Sequence, residues 1–314
     1  MKRFFKEFAK LLVTAGLLYY LFRKVPAGKV IQTIKGMDLL YLFIPIILFF
    51  IYYGFFALRW RFLLSSQNIS VSPRMSYLYM LVSFFFNNFL PSGVGMDIVR
   101  SGYAGGREKF ERAFGASIVE RMLGMIGLMF IGLFAIFWMH HEFIKFFFIY
   151  LGLILLIGLV YFLFVSVRAK WLKEKLLSIK ILNLGKSLRD FYLSIKTYRN
   201  KGKTITIGIG YSILVQMVII CINFFLVRGL SINLPLSSLI AYLPVITIFS
   251  LIPITISGLG MREYAYVLFF SSPGVAKEGP LSLSLLFFAT SVIASSIGGI
   301  VFIFLKKPQR KEKL

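Results

Sequence analysis

The sequence is poor in what a soluble domain uses to face water. Only 15% of its 314 residues are charged, where a soluble domain carries about 25%. Acids are the scarcest: 12 Asp and Glu stand against 36 Lys and Arg, for a net charge of +24. A single cysteine, Cys221, excludes a disulfide scaffold and a thiolate zinc site. The two histidines, His140 and His141, are adjacent and cannot build a metal centre alone; they read as a polar cap at a span end. No metal and no cofactor is expected. Nor is there a long polar low-complexity tract, which excludes disorder. What is present is 58% hydrophobic and 17% aromatic, with a mean hydropathy of +0.82. That composition excludes a water-soluble globule and describes an integral membrane protein. On such a chain, the excess of positive charge belongs to loops facing an anionic bilayer surface, and no nucleic-acid partner is expected.

A bilayer core needs about 20 apolar residues per helix. Eight segments qualify or come close: Phe4–Phe22, Leu39–Leu58, Met75–Leu90, Ala113–Met139, Phe143–Val167, Thr204–Val227, Leu236–Ile256 and Leu281–Leu305. Positive charge marks the cytoplasmic side. If all eight segments cross, the best orientation leaves 21 basic residues inside and 13 outside. If Met75–Leu90 and Leu236–Ile256 instead enter and return, 27 lie inside and 7 outside, with both termini cytoplasmic. The sequence is therefore expected to fold as an all-α polytopic membrane protein, a single domain over 1–314. It has about six full transmembrane helices plus two Gly-rich re-entrant or broken helices. Residues 168–203, with 11 basic side chains, read as a basic cytoplasmic loop holding an amphipathic helix on the inner leaflet.

Both returning segments end alike. Pro91-Ser92-Gly93-Val94-Gly95-Met96-Asp97 resembles Ser257-Gly258-Leu259-Gly260-Met261-Arg262, 165 residues later. The same offset carries Leu39 to Thr204 and Met139 close to the end of the last segment. Residues 39–139 and 204–305 thus read as two copies of one unit, and the charge count makes them run in opposite directions. Inverted repeats of this kind hold their substrate at broken helices near the repeat interface.

A charge at the centre of a membrane helix costs on the order of 3 kcal/mol. Six charges are placed to incur that cost: Asp97, Arg100, Glu120, Arg121, Arg262 and Glu263. They sum to zero, as expected of groups that neutralise one another in a buried pocket. The plainer reading is of local salt bridges at helix ends. Neighbours on a helix point about 100° apart, so Glu120 and Arg121 are expected to reach different partners. Gly93, Gly95, Gly258 and Gly260 are expected to supply left-handed backbone and close approach to a ligand, with amides at the next helix start forming an anion site. Pro91 and Pro253 stop the incoming helices. Asn87 and Asn88, in an otherwise aromatic stretch, either cap backbone or bind a headgroup. Gly124, Gly127, Gly298 and Gly299 read as packing positions.

Three ordered stretches, Asn87–Arg100, Ala116–Gly124 and Ile252–Glu263, resemble the transmembrane-domain family of lysylphosphatidylglycerol synthases, also described as flippase-like integral membrane proteins. The resemblance covers nearly the whole chain. In bifunctional members this region precedes a soluble aminoacyltransferase domain, and in others it accompanies glycosyltransferases acting on polyprenyl phosphates. With the last span ending nine residues before Leu314, the expectation is the translocating unit alone, served by a separate synthase or glycosyltransferase. The resemblance thus implies a lipid translocator in the plasma membrane. It would move a phosphate-bearing or aminoacylated headgroup, with no catalytic residues. Its substrate-binding set would be Asn87, Asn88, Ser92, Gly93, Gly95, Asp97, Arg100, Glu120, Arg121, Ser257, Gly258, Gly260, Arg262 and Glu263. Its partners would be anionic, aminoacylated or polyprenyl-linked membrane lipids. Two alternatives stay open: a membrane glycosyltransferase or lipid-modifying enzyme using a polyprenyl-phosphate donor, and a small-solute or ion transporter.

Overall fold

A computed structural model describes residues 2–90, 95–139, 151–152, 197–198, 201–251, 255, 258–271 and 275–305. Ser92, Gly93, Ser257, Pro91, Pro253, His140, His141, most of the segment Phe143–Val167 and most of the basic loop lie outside the described residues. Among the described residues all regular structure is helical. In chain order the helices are α1 (Lys2–Lys24), α2 (Ala27–Lys35), α3 (Leu40–Ser65), α4 (Pro73–Phe89), α5 (Gly95–Gly105) and α6 (Phe110–Met139). They continue with α7 (Gly202–Gly229), α8 (Leu236–Leu251), α9 (Met261–Phe270) and α10 (Glu278–Phe304).

Length sorts these helices. By length and composition, α3, α7 and α10 as wholes and residues Phe110–Ala135 of α6 can cross a membrane. At 17 and 16 residues, α4 and α8 are the shorter apolar helices at the two segments expected to return. Helix α1 is long enough at 23 residues, but Lys6, Glu7 and Lys10 interrupt its apolar run and keep it outside that group. The expected span at Phe4–Phe22 is thus a helix without the character of a clean crossing.

The order long, medium, short, long occurs twice. Helices α3 to α6 have 26, 17, 11 and 30 residues, and α7 to α10 have 28, 16, 10 and 27. Each short helix follows one of the two Gly-rich breaks.

Side-chain exposure shows which faces meet lipid. On α3 the exposed Leu40, Phe43, Ile47, Ile51 and Leu58 recur every three to four residues, apart from one missed turn. On α10, Ile293, Ile297, Ile300 and Phe304 do the same. Such stripes would aggregate in water and are the normal lipid-facing surface of a spanning helix.

The chain forms two compact units. The first comprises 1–54, 80–99 and 215–305, the second 55–79, 100–214 and 306–314. In the first, α9 packs against α1, α8 and α10, and α10 packs against α2. Leu21, Val25, Val30 and Leu281 form a buried cluster that anchors α2. Gly298 lets α10 meet α4 at Leu81, where a β-carbon would overlap the Leu81 carbonyl. The second unit is tied by polar bonds under apolar helices. Trp60 Nε1 donates to Ser117 Oγ at 3.0 Å, Ser76 Oγ to the Ala57 carbonyl at 2.8 Å, and Tyr198 Oη to the Leu63 carbonyl at 2.8 Å. Burial pushes the Tyr198 phenol above its usual range.

Candidate functional site

The charges of the second unit converge on Glu120, near the middle of its helix α6. Arg59 Nε donates to Glu120 Oε1 at 3.1 Å, and Arg100 Nη1 lies 2.5 Å from Glu120 Oε2. Side-chain exposures of 2%, 0% and 1% for Arg59, Arg100 and Glu120 place all three out of solvent. Arg59 Nη1 also donates to Ser212 Oγ at 2.8 Å, and Ser212 passes a bond to the Gly208 carbonyl. Aromatic faces complete the enclosure. The Arg59 guanidinium lies 4.3 Å from the Phe56 ring centroid, and that of Arg100 lies 4.9 Å from Trp60. Each arginine therefore has a carboxylate in its plane and a ring against its face, which suits a desolvated guanidinium.

Glu120 is therefore shared by two arginines. Arg59 was counted from sequence among the cytoplasmic loop charges, because the apolar run stops at Leu58. The structure corrects this: α3 continues to Ser65 and buries Arg59. The six charges that sum to zero in the sequence are thus joined by a seventh, Arg59. The detectable signal was Arg59 falling on the helical continuation of an apolar segment. Arg121 is half-buried on α6 and points away from its neighbour Glu120, as adjacent helix positions require.

In the first unit Arg262 and Glu263 meet. Arg262 Nη2 lies 2.5 Å from Glu263 Oε1, and Ser284 Oγ joins both at 3.3 Å. The other Glu263 oxygen accepts from the Gly260 amide at 2.6 Å, capping α9. Here the local-salt-bridge reading describes the geometry well, with Arg262 also 4.8 Å from the Phe288 ring. Beyond the break, Asn223 Oδ1 accepts from Tyr266 Oη at 2.8 Å. Asn88 Nδ2 donates to Ser295 Oγ at 2.7 Å, so that amide crosses between helices, and Asn87 is half-buried beside it. Asp97 is 2% exposed in the first turn of α5.

The glycines divide by mechanism. Gly258 and Gly260 have φ of +77° and +83°, the left-handed conformations expected of them. Gly95 does not; it opens α5 without a positive φ. Its requirement is close approach instead, since a β-carbon there would sit 2.5 Å from Leu90 Cδ1.

Apolar helices with lipid-facing stripes and a desolvated arginine–carboxylate cluster define a multi-pass helical membrane protein with an ionic interior. The chain belongs to the family described as the lysylphosphatidylglycerol synthase TM region, whose model matches residues 8–299. It is similar to a UPF0104 membrane protein of Methanocaldococcus jannaschii, with 24% identity over 308 residues, covering 91% of this chain and 90% of that protein. No solved structure matches it.

Proposed function

We propose that the protein is a lipid translocator, which carries a phosphate-bearing or aminoacylated headgroup across the bilayer while the tails stay in the membrane. The observation that carries this reading is Glu120 shared between Arg59 and Arg100. Ionisable groups buried together inside a membrane protein mark a substrate or ion path. A lipid phosphate would accept bidentate bonds from a guanidinium of this kind. An aminoacylated headgroup would bring an ammonium as well, for which Glu120 is the acceptor. The repeated long–medium–short–long helix order supports an inverted repeat, and two opposed repeats allow the pocket to face each leaflet in turn. In this reading the protein sits in the plasma membrane with both termini cytoplasmic, and a separate synthase or glycosyltransferase makes its substrate.

Reconstitution tests it. Vesicles carrying the protein and a labelled anionic or aminoacylated lipid should exchange that lipid between leaflets faster than vesicles carrying Glu120→Ala or Arg121→Ala. Equal rates would overturn the proposal. Consumption of a glycosyl carrier lipid by the purified protein would point to the enzyme instead.

A further inference from the structure

Away from the Glu120 cluster, the second unit holds a cavity of about 530 Å³ at the end of α3 and the turn into α4. Arg61, Phe62, Ser65, Ser70, Val71 and Ser72 line it. Arg61 is two positions beyond Arg59, which on a helix points about 200° away. The two guanidiniums therefore serve different places. Arg59 spends its donors on Glu120 and Ser212. Arg61, which lines the cavity, uses Nε to hold the Val71 carbonyl at 2.8 Å and keeps its two terminal nitrogens as donors for a ligand.

The rest of the lining suits an anion. Three serines line the cavity with Arg61. Ser65 Oγ donates to the Phe62 carbonyl at 2.7 Å, and Ser72 Oγ accepts from the Met75 amide at 3.2 Å, so Ser70 and Ser72 keep a hydroxyl proton for a ligand. No Asp or Glu occurs between Asp38 and Asp97, so no carboxylate on these two helices competes for Arg61. Two lysines brace the turn from outside the cavity: Lys109 Nζ donates to the Asn68 carbonyl at 3.1 Å, and Lys201 Nζ donates to that of Ser66. Each adds positive potential within a Debye length. Phe62 and Val71 supply an apolar wall, which an inorganic anion does not need and a lipid glycerol or acyl chain does.

We propose that this cavity is a second anion site, in which Arg61 and the hydroxyls of Ser70 and Ser72 bind a phosphate group, presented by a lipid headgroup or as free phosphate. It stands whether or not the chain moves lipid between leaflets, because it shares no residue with the Glu120 cluster.

The test uses the full chain in phosphatidylcholine nanodiscs containing a few per cent phosphatidic acid, with bound lipid counted by native mass spectrometry. One phosphatidic acid should be retained by the wild type, and retention should fall at least fivefold in Arg61→Gln. Since that change also removes the turn bond to Val71, Ser70→Asp is the second variant; it places a negative charge in the lining at an exposed position and should abolish retention too. Arg228→Gln, a basic position in the last turn of α7, should retain lipid as the wild type does. Adding millimolar inorganic phosphate separates the sources. Loss of the lipid on addition shows a site for phosphate from either source, and persistence shows a site that needs the lipid. Undiminished retention in both Arg61→Gln and Ser70→Asp would overturn the assignment.

Discussion

Arg59 and Glu120, 61 positions apart in sequence, form a buried ion pair at 3.1 Å whose arginine is also bonded to Ser212. The pair ties α3 to α6 through charge rather than through the apolar surface both helices present to lipid. Removing one member leaves the other charged and desolvated, a change that costs about 3–5 kcal/mol in buried pairs. Glu120→Gln should therefore destabilise the protein by about that range, read as a fall in midpoint in denaturant titration of the detergent-solubilised chain. A loss below 1 kcal/mol would show that water reaches the cluster.

Arg59→Lys keeps the charge and loses the fork. Lysine cannot bond Glu120 and Ser212 from two fixed nitrogens while lying flat on Phe56. The variant should lose about 1–3 kcal/mol, and in a double-mutant cycle with Ser212→Ala its loss should be non-additive. Additive losses would mean that Ser212 is a bystander.

Packing glycines give a graded prediction. A β-carbon at Gly127 would lie 2.7 Å from Ser212 Cβ, so Gly127→Ala should push Ser212 away from Arg59 and cost about 1–3 kcal/mol. Gly210 has open space around it on the same unit's α7, and Gly210→Ala should be neutral or gain up to about 1 kcal/mol from helix propensity. Thermal unfolding of the two variants side by side reads the contrast.

Gly260 combines a φ of +83° with Leu17 Cβ 3.1 Å from the position a side chain would take. Gly260→Ala should cost about 1–2 kcal/mol from backbone strain alone, and loosen the Glu263 cap of α9. Increased proteolysis at the break relative to wild type is the readout.

Much of this was legible in the sequence, for definite reasons. Long apolar runs and their interruptions follow from the bilayer's thickness, so α3, α6, α7 and α10 could be drawn directly, and the short α4 and α8 with them. Glu120 stood out because an acid inside an apolar run has few reasons to be there. Arg59 did not, because a cation at the end of an apolar run looks like an interfacial anchor until the helix is seen to continue. Helix α2 was missed because nine residues with a single buried anchor, Val30, leave no long apolar signature. Pairings such as Arg100 with Glu120 depend on tertiary geometry and carry no local signal. Gly95 was assigned the wrong reason, since a glycine needed for clearance and one needed for positive φ look identical in sequence.

The direction of the repeats makes a prediction of its own. In a Cys221→Ala background, single cysteines at Ser92 and Ser257 should label from opposite sides of the membrane. Labelling from the same side would remove the inverted repeat from the account.

The central claim is that a lipid phosphate meets the buried cluster of Arg59, Arg100 and Glu120. The most direct measurement is the leaflet-exchange rate of a labelled anionic lipid and a labelled zwitterionic one in proteoliposomes of wild type and Arg100→Gln. The account predicts faster anionic exchange in the wild type, and loss of most of that preference in the variant, since the change removes one guanidinium from the cluster. An anionic preference unchanged by Arg100→Gln would contradict it.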